Sequence, residues 1–401
     1  MKKFLFFISL LSLFFFTACK SVPEQSVTFP EPELTTTEED IISTRTADSD
    51  SITMLFTGDL MAHTVNYNIS DFSKIYRDVK DEISTSDLVF ANIESPLDQT
   101  KKISSYPDFN MSEAYIQAAI NAGFNVFSLC NNHSNDQGLE GIKETIKTTK
   151  KLEQLNESQI FFSGLREIEN SEFSYNYIEK NGWKIIFLPI TELLNRPACI
   201  SHINFINPTK NDREEFISFV KKLKSEKPAD LFILSLHTAE PEYVRKVSKS
   251  QTDYYLQLLD AGVDIIWANH AHLIKDRQFV FNSKTGTQKL IMYGNGNVIS
   301  GQRTKPDFES SYPNYERDNT GDGLMYEVTF KKRENLPPEI KSVSAKYITT
   351  YINTANEYVL KKLDESTIMY CTEVKRLNWA KYIERRINVN NSETKDLILW
   401  Q

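Results

Sequence analysis

Cysteine is scarce in this chain, with four residues in 401, at positions 19, 130, 199 and 371. Scattered in this way they offer no metal framework and no obvious disulfide set. Positive charge is also short: 46 Lys and Arg stand against 54 Asp and Glu, a formal net charge of −8. That balance argues against a nucleic-acid partner, which more often selects a basic chain. It also means that an anionic substrate needs a local cation to hold it. No repeat array is visible. No apolar run reaches the roughly 20 residues that a membrane-spanning helix needs.

The longest apolar run lies in "MKKFLFFISLLSLFFFTACKS" and fits a secretory signal better. Lys2 and Lys3 precede it, and small residues follow as far as Cys19. Phe16-Thr17-Ala18-Cys19 resembles a bacterial lipobox, although Phe16 stands where Leu is preferred. Cys19 is therefore the expected lipidation site, with residues 1–18 a lipoprotein signal peptide. Residues 19–50 are rich in Ser, Thr, Glu and Pro, as a disordered, lipid-anchored tether would be. The expected location is the cell envelope, membrane-anchored on the periplasmic or surface side. The membrane is then a partner through the anchor.

From residue 52 onward, short apolar runs alternate with amphipathic stretches. The runs are "ITMLFT" (52–57), "DLVFA" (87–91), "NVFSL" (125–129), "KIIFLPI" (184–190), "DLFILSL" (230–236), "VDIIWA" (263–268) and "KLIMY" (289–293). They are rich in Val, Ile, Leu and Phe, as buried strands are. Helix-like segments cover 72–84, 112–122, 138–154, 212–226 and 251–261. Gly123 and Gly262 fall where left-handed helix C-caps are wanted, in "NAGFNV" and "DAGVDI". This alternation predicts an α/β layered fold. Residues 301–323 read as a long polar loop, with Arg303 a solvated charge. Residues 324–330 and 340–348 read as a late antiparallel pair. The folded domain is expected over 51–348, and 349–401 as a partly helical extension, with helix-like patches at 354–364 and 372–387.

The residues just past each strand carry the chemistry. After the first comes Gly58-Asp59-Leu60-Met61, with His63 nearby. After the second comes Asn92-Ile93-Glu94-Ser95-Pro96, and after the third Asn131-Asn132-His133. Then come His237 with Glu240 and Glu242, and Asn269-His270-Ala271-His272. Sites in open α/β sheets form where strand C-terminal ends open into loops. Each element alone is ordinary turn chemistry; five at successive strand ends are not. His270 and His272 lie two apart near a strand end, so both side chains are expected to point one way and grip metal. Carboxylates with imidazole and amide ligands suit two divalent metals that assist displacement at phosphorus. A histidine beside them can protonate the leaving oxygen.

These motifs, together with "YGNGNV" (293–298), resemble the CapA family, the bacterial capsule synthesis or poly-γ-glutamate biosynthesis proteins. The resemblance runs from residue 52 to about 330, in order. That family is similar to calcineurin-like metallophosphoesterases, which implies a four-layer α/β/β/α sandwich and a metal centre of one or two ions (Mn, Zn or Fe). The implied ligands are Asp59, Glu94, Asn132, His237, His270 and His272. His133 is the implied acid, with Asp136 orienting it. Phosphoesterases carry Asp-x-His at the first strand, but here Met61 fills the His position, and a thioether is a poor ligand for hard divalent metals. His63 is the weaker substitute. The resemblance implies action in capsule or surface-polymer biosynthesis, on an anionic polymer or a phosphoester, with polymer-synthesis subunits as partners. Met61 keeps open the alternative of a non-catalytic polymer-binding or export component with a degenerate metal site.

Overall fold

The computed structural model describes residues 50–157, 159–309 and 316–401. The expected signal peptide, lipidation site Cys19 and tether, up to residue 49, lie outside the described residues. The chain begins with β1 (Ser51–Leu60), α1 (Lys80–Ile83), β2 (Leu88–Ile93), α2 (Glu113–Ala122), β3 (Val126–Ser128), α3 (Gly138–Leu155) and β4 (Phe161–Ser163). It continues through β5 (Asn176–Lys180), β6 (Trp183–Thr191), α4 (Lys210–Glu226), β7 (Leu231–His237), α5 (Lys249–Asp260) and β8 (Ile265–Asn269). Next are β9 (Arg277–Asn282), β10 (Thr287–Met292), β11 (Asn297–Ile299), α6 (Glu316–Asn319), β12 (Asp322–Arg333) and β13 (Leu336–Ile352). The last elements are β14 (Tyr358–Lys362), α7 (Glu365–Glu373), α8 (Leu377–Glu393) and β15 (Asp396–Trp400).

Two sheets result. One has the order β14-β13-β12-β1-β2-β3-β4, with β11 pairing β1 off this path; the other has the order β15-β9-β10-β8-β7-β6-β5. The crossover strands β1, β2, β3 and β4 pair in parallel, as do β6, β7 and β8. Their C-terminal ends therefore lie together. The inner faces of the sheets meet in one core, where Met54, Phe56 and Phe90 of the first pack with Phe187, Ile233 and Trp267 of the second. Period-2 alternation explains how each strand feeds two cores. Leu55, Val89 and Phe127 point outward, beneath α2 and α3. Ile186, Phe232 and Ile266 point outward on the second sheet, beneath α4 and α5. This is the α/β/β/α sandwich expected from the sequence.

Local chemistry sets the helix ends. Ser248 caps α5 by accepting from the Gln251 N–H at 3.0 Å, and Asp364 caps α7. Gly123 and Gly262 adopt φ of +123° and +120°, the conformation expected of them. Segment 72–84 is not one helix: it breaks into a 3₁₀ turn at Phe72–Ile75 and the single turn of α1. The helix reading of 354–364 is also wrong. Tyr358–Lys362 is β14, whose Val359 and Leu360 are buried on opposite sides as the outer strand beside β13. The boundary expected at 348 falls inside β13, and β15 adds a parallel edge strand beside β9. Among the described residues, no helix is long and apolar enough to cross a membrane. Cys130, Cys199 and Cys371 are free thiols.

Arg303 is not a solvated loop charge. It is 1% exposed, and Asp322 explains why. One Asp322 oxygen accepts from Arg303 Nη1 at 3.0 Å and Thr349 Oγ1 at 2.9 Å. The other accepts from Arg386 Nε at 2.7 Å and Asn390 Nδ2 at 2.9 Å. A cation buried this deeply persists only when paired and hydrogen-bonded. Here the partner comes from the first residue of β12, and a second arginine comes from α8.

Candidate metal centre

The C-terminal end of β1 is held by a backbone approach that only glycine allows. A Cβ on Gly58 would lie 1.9 Å from the Gly296 carbonyl oxygen. The next residue, Asp59, donates its N–H to that oxygen at 3.0 Å. Its side chain is thereby fixed at the strand end, fully buried. Asp59 Oδ1 accepts from Asn92 Nδ2 at 2.8 Å. Asp59 Oδ2 lies 3.2 Å from His272 Nδ1 and accepts the His270 N–H at 3.3 Å.

Glu94 follows β2 and is the centre of the cluster. It is fully buried, yet neither carboxylate oxygen has a hydrogen-bond partner. Its Oε1 lies 3.9 Å from His237 Nε2 and 3.7 Å from His272 Nε2. An isolated buried carboxylate costs far more than a protein tolerates unless a cation or proton answers it. Three overlapping groups of ligand atoms, each within 4.8 Å, surround it: Glu94, His237 and His270; Asp59, Glu94 and His272; Glu242, His270 and His272. His237 Nε2 also lies 2.8 Å from Asn132 Oδ1. The six residues singled out from the sequence thus meet in one place.

The electrostatics suit a bound cation. Burial and the Asp59 charge push the Glu94 carboxyl well above its usual range. Burial and the neighbouring imidazoles push His270 down to about 3 and His237 well below its usual value. His272 runs the other way: burial opposes its charge, but Glu94 and Asp59 raise it to about 10. The protonated His272 ring stands between the Asp59 and Glu94 side chains. A divalent metal would displace that proton. His270 Nδ1, buried and unpartnered, is a further orphan that suits the same set.

Three features differ from the sequence expectation. His270 and His272 do not converge by strand alternation. β8 ends at Asn269, and the two residues take φ of +95° and +54°. Such backbone is rare for a residue with a Cβ, and its strain gathers at functional sites. Glu242 joins the cluster from the loop after β7, its Oε1 3.9 Å from His270 Nε2. It was visible in "HTAEPEY" but had no assigned role, since a carboxylate five residues past a strand has no fixed direction. Asn195 and Asn297 were missed. Asn195 Nδ2 lies 3.3 Å from the His133 ring nitrogens, and Asn297 Oδ1 3.0 Å from His272 Nδ1. Asn195 sits in no pattern that announces it, and Asn297 lies in "YGNGNV" but had no assigned role.

His133 lies beside this cluster. Its Nδ1 is 2.7 Å from Asp136 Oδ2, which also accepts the Phe109 N–H at 2.8 Å. The carboxylate fixes the ring's orientation and leaves Nε2 for other partners. Asn131 reaches back to Asn92 Oδ1 at 3.3 Å and to the Ile93 carbonyl at 2.7 Å, so it ties two strand ends together. Asn132, His133, His272 and Met61 line one cleft of about 670 Å³ with His63, Tyr106, Glu242, Tyr243 and Arg317. His63 spends its Nδ1 on the Gly301 N–H at 3.0 Å. It stands in none of the three ligand groups.

Residues 53–302 match the family described as bacterial capsule synthesis protein PGA_cap. The chain is 27% identical over 315 residues to the capsule biosynthesis protein CapA of Bacillus anthracis, covering 74% of this chain and 71% of that one. It is 24% identical over 311 residues to the PGA biosynthesis protein CapA of Bacillus subtilis (strain 168), covering 76% and 78%. Among solved structures, a hypothetical protein from Thermus thermophilus is similar at a TM-score of 0.38, with 16% identity over 73% of this chain and 99% of that one.

Proposed function

Because the chain belongs to the bacterial capsule synthesis protein PGA_cap family, we propose that it acts in the biosynthesis of a capsule or poly-γ-glutamate-like surface polymer, through a metal-dependent phosphoesterase-like site. The relatives' names carry that role for those proteins. One observation carries the site: Glu94, a fully buried carboxylate with two unpartnered oxygens, stands within reach of imidazoles on both sides. The residues that would hold metal are Asp59, Glu94, Asn132, His237, His270 and His272, with Glu242 added. When bound there, divalent ions supply Lewis acidity toward a phosphoryl oxygen and activate water.

The chain's own residues do the rest. Asp136 orients the His133 ring through its Nδ1. His133 Nε2 can then deliver a proton to a leaving oxygen in the cleft. Asn92 and Asn297 hold Asp59 and His272 in place, as partners beyond the ligands do in metal sites. The N-terminal segment, lipidated at Cys19, would hold the domain at a membrane of the cell envelope. Met61, which lines the cleft where phosphoesterases place a histidine, favours a second reading: a non-catalytic polymer-binding or export component.

Elemental analysis after Mn²⁺ loading tests the first reading. Wild-type protein should take up close to two ions, and Glu94→Gln about one or none. Turnover of a generic phosphodiester should fall at least about a hundredfold in His133→Ala. Metal uptake without turnover leaves the binding reading in its place. Equal metal content in wild type and Glu94→Gln refutes the cluster.

A further inference from the structure

Three side chains that line the cleft, His63, Gln302 and Arg317, present hydrogen-bond donors to it. His63 Nδ1 accepts the Gly301 N–H at 3.0 Å, so the neutral ring carries its proton on Nε2. Gln302 Oε1 accepts from Asn297 Nδ2 at 2.9 Å, which leaves the amide hydrogens of Gln302. Arg317 has no acceptor atom at all. It is exposed, lies against the Tyr243 ring at 5.2 Å from its centroid, and forms no ion pair among the described residues. All three line the cleft that Asn132, His133 and His272 line.

The wall is built, not incidental. A Cβ on Gly301 would lie 2.6 Å from His63 Cβ, so glycine is what lets the loop grip the ring. Phe109 stands edge-on to both His63, at 5.0 Å, and His133, at 4.8 Å. The two imidazoles are thus set apart by a fixed spacer. The Tyr243 ring beneath Arg317 also stands 6.1 Å from the His272 ring, so the wall abuts the ligand cluster. The contrast is chemical: the cluster offers acceptors that suit cations, and the wall offers N–H groups and a guanidinium, which suit an oxyanion. In a chain of net charge −8, such a local cation is what an acidic ligand requires.

We propose that His63, Gln302 and Arg317 form an oxyanion subsite beside the metal cluster, holding a carboxylate or phosphate of the substrate other than the group that reacts. The subsite rests on the reading of this cleft as the substrate site. It implies a ligand with at least two acidic groups, one at the metals and one at the donor wall.

The test uses the full chain loaded with Mn²⁺, with metal content measured on every sample. Inorganic phosphate, pyrophosphate and γ-linked tetraglutamate are titrated calorimetrically. Wild type should bind at least one of the two polyanions more tightly than inorganic phosphate. Arg317→Ala and His63→Ala should each weaken that polyanion about tenfold, the lower end of what a hydrogen bond to a charged group contributes. Inorganic phosphate, which the metals alone can hold, should move less than about twofold. A loss confined to tetraglutamate assigns the subsite to carboxylates, and one confined to pyrophosphate assigns it to phosphates. The subsite is overturned if neither polyanion exceeds inorganic phosphate, or if Arg317→Ala leaves both unchanged. Independently of binding, ¹⁵N NMR should find the His63 proton on Nε2; a proton on Nδ1 removes the donor and refutes the arrangement. Failure to take up Mn²⁺ sinks the metal reading alone, since the titrations of wild type and Arg317→Ala still compare the donor wall.

Discussion

Asp322→Asn should cost this protein about 3 kcal/mol at pH 7, the lower end of what removing one partner of a buried ion pair costs. The wild-type carboxylate answers two buried guanidinium groups, Arg303 and Arg386, and accepts four hydrogen bonds in all. Asparagine keeps the shape and one acceptor oxygen, but removes the negative charge that the two guanidinium groups share. For a domain of this size the loss corresponds to a melting temperature lower by about 4 °C. The effect has a pH signature. Burial opposes the Asp322 charge, but Arg386 and Arg303 outweigh it and hold the carboxyl below its usual range. A depressed folded-state pKa stabilises above the unfolded value, about 3.9, and that stability is lost as pH falls through the folded value. The gap between wild type and Asp322→Asn should therefore be constant from pH 7 to about 5 and narrow below about 4. Urea denaturation across that range measures it. A difference under about 1 kcal/mol at pH 7, or one that does not narrow in acid, refutes the reasoning.

Two further substitutions test the geometry that delivers the ligands. Gly58→Ala places a methyl 1.9 Å from the Gly296 carbonyl oxygen, so β1 and β11 must part, at about 3 kcal/mol; it should lower both the urea midpoint and the metal content, and a variant with wild-type values would show that the approach is relaxed. Trp267→Phe deletes the bond from Trp267 Nε1 to the Thr57 carbonyl, 2.7 Å, which links the two sheets inside the core; a loss of about 1–3 kcal/mol is expected, and an unchanged denaturation midpoint would count against it.

The central strands were legible because they are buried on both faces and read as continuous apolar runs. β5 and β15 were not, because they are edge strands. Tyr177 and Glu179 face solvent around a buried Ile178 in β5, and Ile398 and Trp400 remain exposed in β15. Leu360 and Val359 in β14 serve two different cores, which blurs the pattern that separates strand from helix. At the site, Asp59, Glu94, Asn132, His237, His270 and His272 were legible since parallel strands bring their C-terminal ends together. Glu242 was not, because its position depends on a loop in which Tyr243 takes φ of +61°. Arg303 misled because burial of a cation is decided by Asp322 and by Arg386, a distant helix residue, and not by its own neighbours.

The direction of β1 also sets how the protein would face its surroundings. Ser51 enters at one end of the sheet, and Asp59 emerges at the other, beside the ligands. Eight residues of extended chain separate them, roughly 25 Å. The segment that precedes residue 50 therefore joins the fold at the back of the sandwich, away from the cleft. The mouth of the cleft is thus left unobstructed by the point at which that segment attaches.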